Sequence, residues 1–338
     1  MDTVSGNSGS VWNIRRYTPA DEAVWNRFVA ESRNATFLFD RRYMDYHSDR
    51  FADCSLMAFK EGRLLALLPA DEVAEEDGGR VLRSHGGLSY GGWILPGRHF
   101  DCADMLTLFD EWLRQCRSEG FSAVDYKPLP YIYHSMPSEE DIYALWRSGG
   151  VMTECNASAT IDLQSNPGFN TLQRRHLRKA QAHGVVIEKA DSQEGIARFH
   201  EMLVNCLAER HDTAPVHTLG ELSLLIERFP QQIEVWLAVS DGQPMAGVCL
   251  YLTERVAHAQ YIATTSEGRR LNMLTPLFAA LTGRAADGGC RYFDFGISNE
   301  DHGRILNAGL FRHKASLGAS AAAFTRWRID LKAELSDL

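Results

Sequence analysis

The stretch from Arg291 to Gly318 holds the residues whose types and order point most directly to chemistry. Arg291 to Phe295 alternates apolar and polar residues as a short strand does. Gly296 then opens a polar loop with Ser298, Asn299, Glu300, Asp301 and His302, and a lone Lys314 follows. Carboxylates at a strand end can take a proton from a nucleophile, and ligands of open α/β sheets collect beyond strand ends. Asp294, Glu300 and Lys314 are therefore the candidate catalytic residues, with a solvated loop as the plain alternative.

Four other constellations carry possible chemistry. The loop Ser266-Glu267-Gly268-Arg269-Arg270-Leu271-Asn272 lies between an expected strand and helix, where helix-start amides and two arginines would suit a pyrophosphate. Gly268, Arg269, Arg270 and Asn272 are thus the candidate cofactor-binding residues. Arg174, Arg175, His176, Arg178 and Lys179 crowd one or two helical turns, as an anion clamp or as an ordinary solvated face. Asp125, Lys127, Tyr131, Tyr133 and His134 follow another strand, where the tyrosines bind a ligand or simply pack. Ser84 to Gly92 contains Gly-x-Ser-x-Gly around Ser89, next to Tyr90. A hydrolase elbow needs a helix straight after the serine, whereas Trp93-Ile94-Leu95-Pro96 reads as strand and turn, so the glycines suit close backbone approach instead. His211, His217 and His258 lack metal-ligand spacing and read as structural histidines, and no metal site is expected.

The elements that must position these groups repeat along the chain. Thr18-Pro19-Ala20-Asp21 is a capping box before a helix, and Ser55 to Ala70 is a hairpin turning at Glu61-Gly62. A second strand pair is expected over Arg80 to Leu95. Met105, Phe109, Trp112 and Cys116 mark an amphipathic helix leading to a strand at Phe121 to Tyr126. The second half gives two helices, a hairpin at Asp241-Gly242, a strand from Ala257, a helix from Met273 and the strand at Arg291. Two similar α/β domains with mixed sheets and a cleft are expected, at 11–156 and 157–338 behind a flexible tail at 1–10.

Composition limits the partners. The chain has 338 residues, 45% of them hydrophobic, and a formal net charge of −9, which argues against a dedicated DNA binder. Seven scattered cysteines without a C-x-x-C pair read as buried thiols of a reducing cytosol. No segment approaches the roughly 20 apolar residues of a membrane helix, so a cytoplasmic protein is expected.

The ordered series YKPLPYIYHSMPSEEDIYAL, RRHLRKA, PVHTLGELSLLIERFP, HAQYIATT, YFDFGISNEDHGRILNAGL and KASLGA resembles the bacterial FemAB-like acyltransferases with two GNAT domains. That resemblance implies transfer of an acyl or aminoacyl group to an amine without a covalent enzyme intermediate. Its donor would be acyl-CoA or aminoacyl-tRNA, and its acceptor a small molecule or a cell-wall precursor. Lys314 would neutralise the developing oxyanion together with strand amides near Tyr261, and Asp294 or Glu300 would deprotonate the amine. Tyr90, Lys127, His134, Arg175 and Tyr261 would hold substrate, with Lys127 and Arg175 as anchors. A noncatalytic binding module of the same fold and a serine hydrolase using Ser89 are the competing readings.

Overall fold

The computed structural model describes residues 12–165, 168–211 and 213–332. The tail expected at 1–10 lies outside them. The chain forms two compact units, one of residues 1–154 with 325–338 and one of 155–324. The first division falls two residues from the expected one. The second was not expected, because the C-terminal strand Ser320–Asp330 returns the chain to the first unit.

In the first unit, Trp12–Arg16, Leu56–Lys60 and Arg63–Leu68 form an antiparallel sheet in that order. Glu61 and Gly62 both have positive φ, +52° and +76°, as a tight primed hairpin turn requires. Asp71–Ala74 pairs antiparallel with Arg80–Arg83, which then runs parallel to Ala123–Tyr126. The helix Cys102–Ser118 makes that crossover, its start capped by the Asp101 carboxylate. Met105, Leu108, Phe109, Trp112, Leu113 and Cys116 recur at helical spacing and are all buried, against Trp93 and Tyr126 among others. The strand pair expected over Arg80 to Leu95 is half right. Beyond Arg83 the chain is irregular, and Ile94 makes only an isolated bridge to Leu67.

The second unit orders its strands Val186–Lys189, Ile233–Ser240, Gln243–Leu252, Val256–Thr264, Tyr292–Ile297 and Val151–Asp162. All neighbours are antiparallel except Val256–Thr264 and Tyr292–Ile297, which are parallel and joined through the helix Leu274–Asp287. Leu277, Phe278, Leu281 and Ala285 of that helix pack on Leu250, Ala257, Ala259, Phe293 and Phe295.

A strand–helix–parallel strand motif therefore occurs once in each unit, with a ladder of the same length. Val81, Leu82 and Arg83 face Ala123, Val124 and Asp125, whereas Val256, Ala257 and His258 face Tyr292, Phe293 and Asp294. Both ladders end on an aspartate. Its partner differs: arginine in the first unit, histidine in the second.

Candidate active site

The second unit's parallel ladder ends at His258 and Asp294 and opens there. Val256–Thr264 continues against its other neighbour as far as Thr264, while the pairing of Tyr292–Ile297 shifts after Asp294 at Gly296, whose φ is +77°. At the mouth of this wedge, His258 Nδ1 lies 2.8 Å from Asp294 Oδ2. Asp294 is fully buried and its other oxygen accepts from Ser158 Oγ (2.6 Å), Thr160 Oγ1 (2.9 Å) and Gly296 N (3.3 Å). Burial pushes this carboxyl up, but the hydrogen bond and charge of His258 and the two hydroxyls outweigh it and hold it below its ordinary value.

An ionised carboxylate only accepts, so Nδ1 carries a proton and donates it to Asp294, which leaves Nε2 as the ring nitrogen able to exchange a proton. His258 keeps 18% of its side chain exposed. The pair is thus an oriented base at the edge of an open wedge, backed by a carboxylate that hydrogen bonds already occupy. Asp294, expected as a catalytic carboxylate, is sealed behind His258, and His258, read from sequence as structural, is the partly exposed member of the pair.

Lys314 lies behind the same strand end. It is buried, and its Nζ donates to Gly296 O (2.8 Å), Ile297 O (2.9 Å) and Ser298 Oγ (3.0 Å). Burial pulls its pKa down to about 8. An ammonium has three protons, and these three contacts use them, so Lys314 as placed here fixes the turn after Asp294. Glu300 is exposed on a two-residue strand and accepts from Asn307 Nδ2 (3.0 Å).

Tyr261 joins His258 on one face of the sheet. The register skips Gln260, so that His258 opposes Tyr251 and Tyr261 opposes Cys249, two residues apart on the neighbouring strand. The Tyr261 hydroxyl meets His217 Nδ1 at 2.5 Å, and His200 Nε2 donates to the His217 carbonyl at 3.0 Å. His217 therefore supports a residue of the wedge. The side chain of His211 lies outside the described residues.

The proposed pyrophosphate loop is turned inward. Gly268 N donates to Thr265 Oγ1 (2.9 Å), and a Cβ on Gly268 would stand 2.0 Å from the Met245 carbonyl oxygen, so this glycine serves close packing. Arg269 pairs with Glu209 and Arg270 with Glu267, while Asn272 takes the left-handed conformation that ends the short helix. In contrast, Arg174, Arg175, Arg178 and Lys179 are all exposed on the helix Thr171–Ala182.

The remaining candidates belong to the first unit. Tyr90 is buried against Phe39 and Tyr133 with its hydroxyl on Thr36, and His134 Nε2 donates to the Leu129 carbonyl; both serve packing. Tyr131 is half exposed. Lys127 Nζ donates to Leu88 O, and burial, followed by Arg326, pulls its pKa down to about 8. No helix follows Ser89, which lies exposed in an irregular loop without the geometry of a nucleophile elbow. Arg83, the counterpart of His258, is ion-paired with Asp71, and Asp125 with Arg328, so this ladder end offers no base. Cys102 and Cys155 are exposed, unlike the buried thiols expected, and all seven cysteines are free. Among the described residues no group of three or more His, Cys, Asp or Glu could hold a metal ion, and no helix is long and apolar enough to cross a membrane.

Residues 171–304, which include the wedge, match the family described as an acetyltransferase (GNAT) domain. The second unit is therefore an acyltransferase domain of that class. The chain is similar in structure to the crystal structure of FemX, with a TM-score of 0.68 at 11% identity over 94% of this chain and 97% of that one. It is also similar to L-PGS from Bacillus licheniformis (TM-score 0.54, 12% identity, 80% and 82% covered). A tandem GNAT protein from the clavulanic acid biosynthesis pathway gives 0.51 at 13% identity, with 96% and 100% covered. At these identities the likenesses show the fold, one shared with FemX and with a tandem GNAT protein. No curated protein matches the chain by sequence.

Proposed function

We propose that this acyltransferase, built on the two-domain GNAT plan, moves an acyl or aminoacyl group from an activated donor directly onto an amine, with His258 as the general base. The observation that carries this reading is the His258–Asp294 pair at the end of the parallel ladder. The acceptor ammonium first loses one proton to solvent, and the free amine attacks the acyl carbon as Nε2 takes a second proton from the attacking nitrogen. As the tetrahedral intermediate collapses, the C–N bond is kept, the bond to the donor's sulfur or oxygen breaks, and the imidazolium returns its proton to that leaving atom. No serine or cysteine carries the acyl group. Lys314 acts as a positioning residue through the turn it ties down.

For the donor, the exposed basic face of Thr171–Ala182 and the inward-turned Gly268 loop favour aminoacyl-tRNA over acyl-CoA. The acceptor class is a small amine or an amine-bearing cell-wall precursor, and the compartment implied is the cytoplasm, where both donor classes are made. The test is single-turnover transfer with charged tRNA and with acyl-CoA donors against a panel of amines. Transfer that His258→Gln lowers at least a hundredfold supports the reading. Transfer that is indifferent to His258 rejects it.

A further inference from the structure

The first unit contains a cavity of about 620 Å³ that the acyl-transfer reading does not use. Tyr17, Arg41, Asp45, His47, Phe51, Asp53 and His85 line it, and all belong to that unit. Its size is that of a small-molecule site. His85, the residue after Ser84 in the glycine-rich loop, is only 3% exposed, and its buried Nδ1 has no hydrogen-bond partner. Its backbone holds φ at +49°, a conformation that costs a non-glycine residue free energy and that places the ring flat against His47, 13° from parallel with centroids 5.6 Å apart. The ring thus lines the cavity while Nδ1 itself is sealed from it, and a ligand would meet the ring.

The charges on the wall say which kind. The Arg41 guanidinium pairs with both Asp45 and Asp53 and sits 3.9 Å from the Tyr17 ring, so one cation faces two carboxylates and a negative charge is left over. The nearby Asp71 and Arg83 neutralise each other. Burial, the largest influence on each, depresses the pKa of His47 and takes that of His85 to about 4, so both rings are neutral near pH 7. With His47, His85 and Phe51, the wall offers aromatic side chains beside a net negative charge, which suits an organic cation. A metal ion is disfavoured because no three His, Cys, Asp or Glu side chains converge among the described residues.

We infer that this cavity is a binding site for a small organic ammonium, its charge held near Asp45 and Asp53 and its body against the His47 and His85 rings. The inference is independent of the His258 site.

Calorimetric titration of the full chain with 1,4-diaminobutane, and with 1,4-butanediol as its uncharged counterpart, tests it. Saturable binding of the diamine that weakens with salt is expected, at least tenfold tighter than that of the diol. Asp45→Asn, at a partly exposed position, and His85→Asn, which tolerates the left-handed backbone, should each weaken it at least fivefold. In the unmutated protein, ¹⁵N resonances of the His85 ring should shift on titration. Absence of saturable diamine binding, equal binding of the diol, or an unmoved His85 ring would overturn the assignment.

Discussion

Replacing Asp294 with asparagine changes almost no volume but inverts one donor, and the consequences can be worked through atom by atom. If the amide nitrogen faces His258, Nδ1 must accept, the ring proton moves to Nε2, and the lone pair that takes the substrate proton is lost. If it faces the other way, it opposes the Gly296 N–H, and the Ser158 and Thr160 hydroxyls must turn to accept from it. Either arrangement also removes the charge that stabilises imidazolium. General acid–base catalysis is worth about 10²–10⁴-fold, or roughly 2.7–5.4 kcal/mol, so kcat should fall by that factor while KM changes little. Lost charge-assisted hydrogen bonds should lower stability by about 2–4 kcal/mol. The sign of the pH dependence is a second check. The Asp294 pKa is lowered on folding, so its stabilisation is present above the unfolded value near 3.9 and is lost as pH falls through the folded value. Urea titrations should therefore show wild type and Asp294→Asn converging in acid. A folded Asp294→Asn enzyme turning over within threefold of wild type would refute the orientation argument.

Other outcomes follow from neighbouring geometry. Lys314→Met leaves two carbonyls and the Ser298 hydroxyl without their ammonium, and urea unfolding should show a loss of about 2–4 kcal/mol. Gly268→Ala forces a methyl into the Met245 carbonyl and should cost about 1–3 kcal/mol or more by the same measurement, whereas a loss below about 0.5 would contradict the close-packing role. Asp141 is fully buried under the Tyr126 hydroxyl, and burial pushes its pKa up to about 7. Its contribution is present below the unfolded pKa of about 4 and is lost as pH rises through 7, so Asp141→Asn should flatten that decline in thermal melts taken from pH 4 to 8. Alanine at Arg174, Arg175, Arg178 and Lys179 together should leave folding nearly unchanged and, in filter binding, weaken tRNA and flatten its salt dependence.

What could be read from the sequence was what short-range rules decide. Glu61-Gly62 and Asp241-Gly242 announce their hairpins because few residues accept positive φ, and the apolar spacing from Met105 to Cys116 is helical whatever it packs on. The misreadings are nonlocal. Arg80–Arg83 takes its antiparallel partner from Asp71–Ala74, where alternation is weak, and Gly86, Gly87, Gly91 and Gly92 prevent a second ladder after it. The C-terminal strand pairs Trp327 with Tyr126, about two hundred residues away, which no local pattern reports. His258 was passed over because its partner stands 36 residues on. The signal was nevertheless present: both halves end their last strand near an acid, and aligning the preceding strands sets His258 against Asp294 where the first half sets Arg83 against Asp125.

The most direct test is chemical rescue of His258→Ala in the amine-transfer assay, because the ring is partly exposed at the wedge and its removal leaves room for a diffusible base. The folded variant should lose at least a hundredfold in rate and regain a substantial part with added imidazole, in proportion to its concentration. Wild-type turnover by folded His258→Ala, with no response to imidazole, would contradict the assignment of the base.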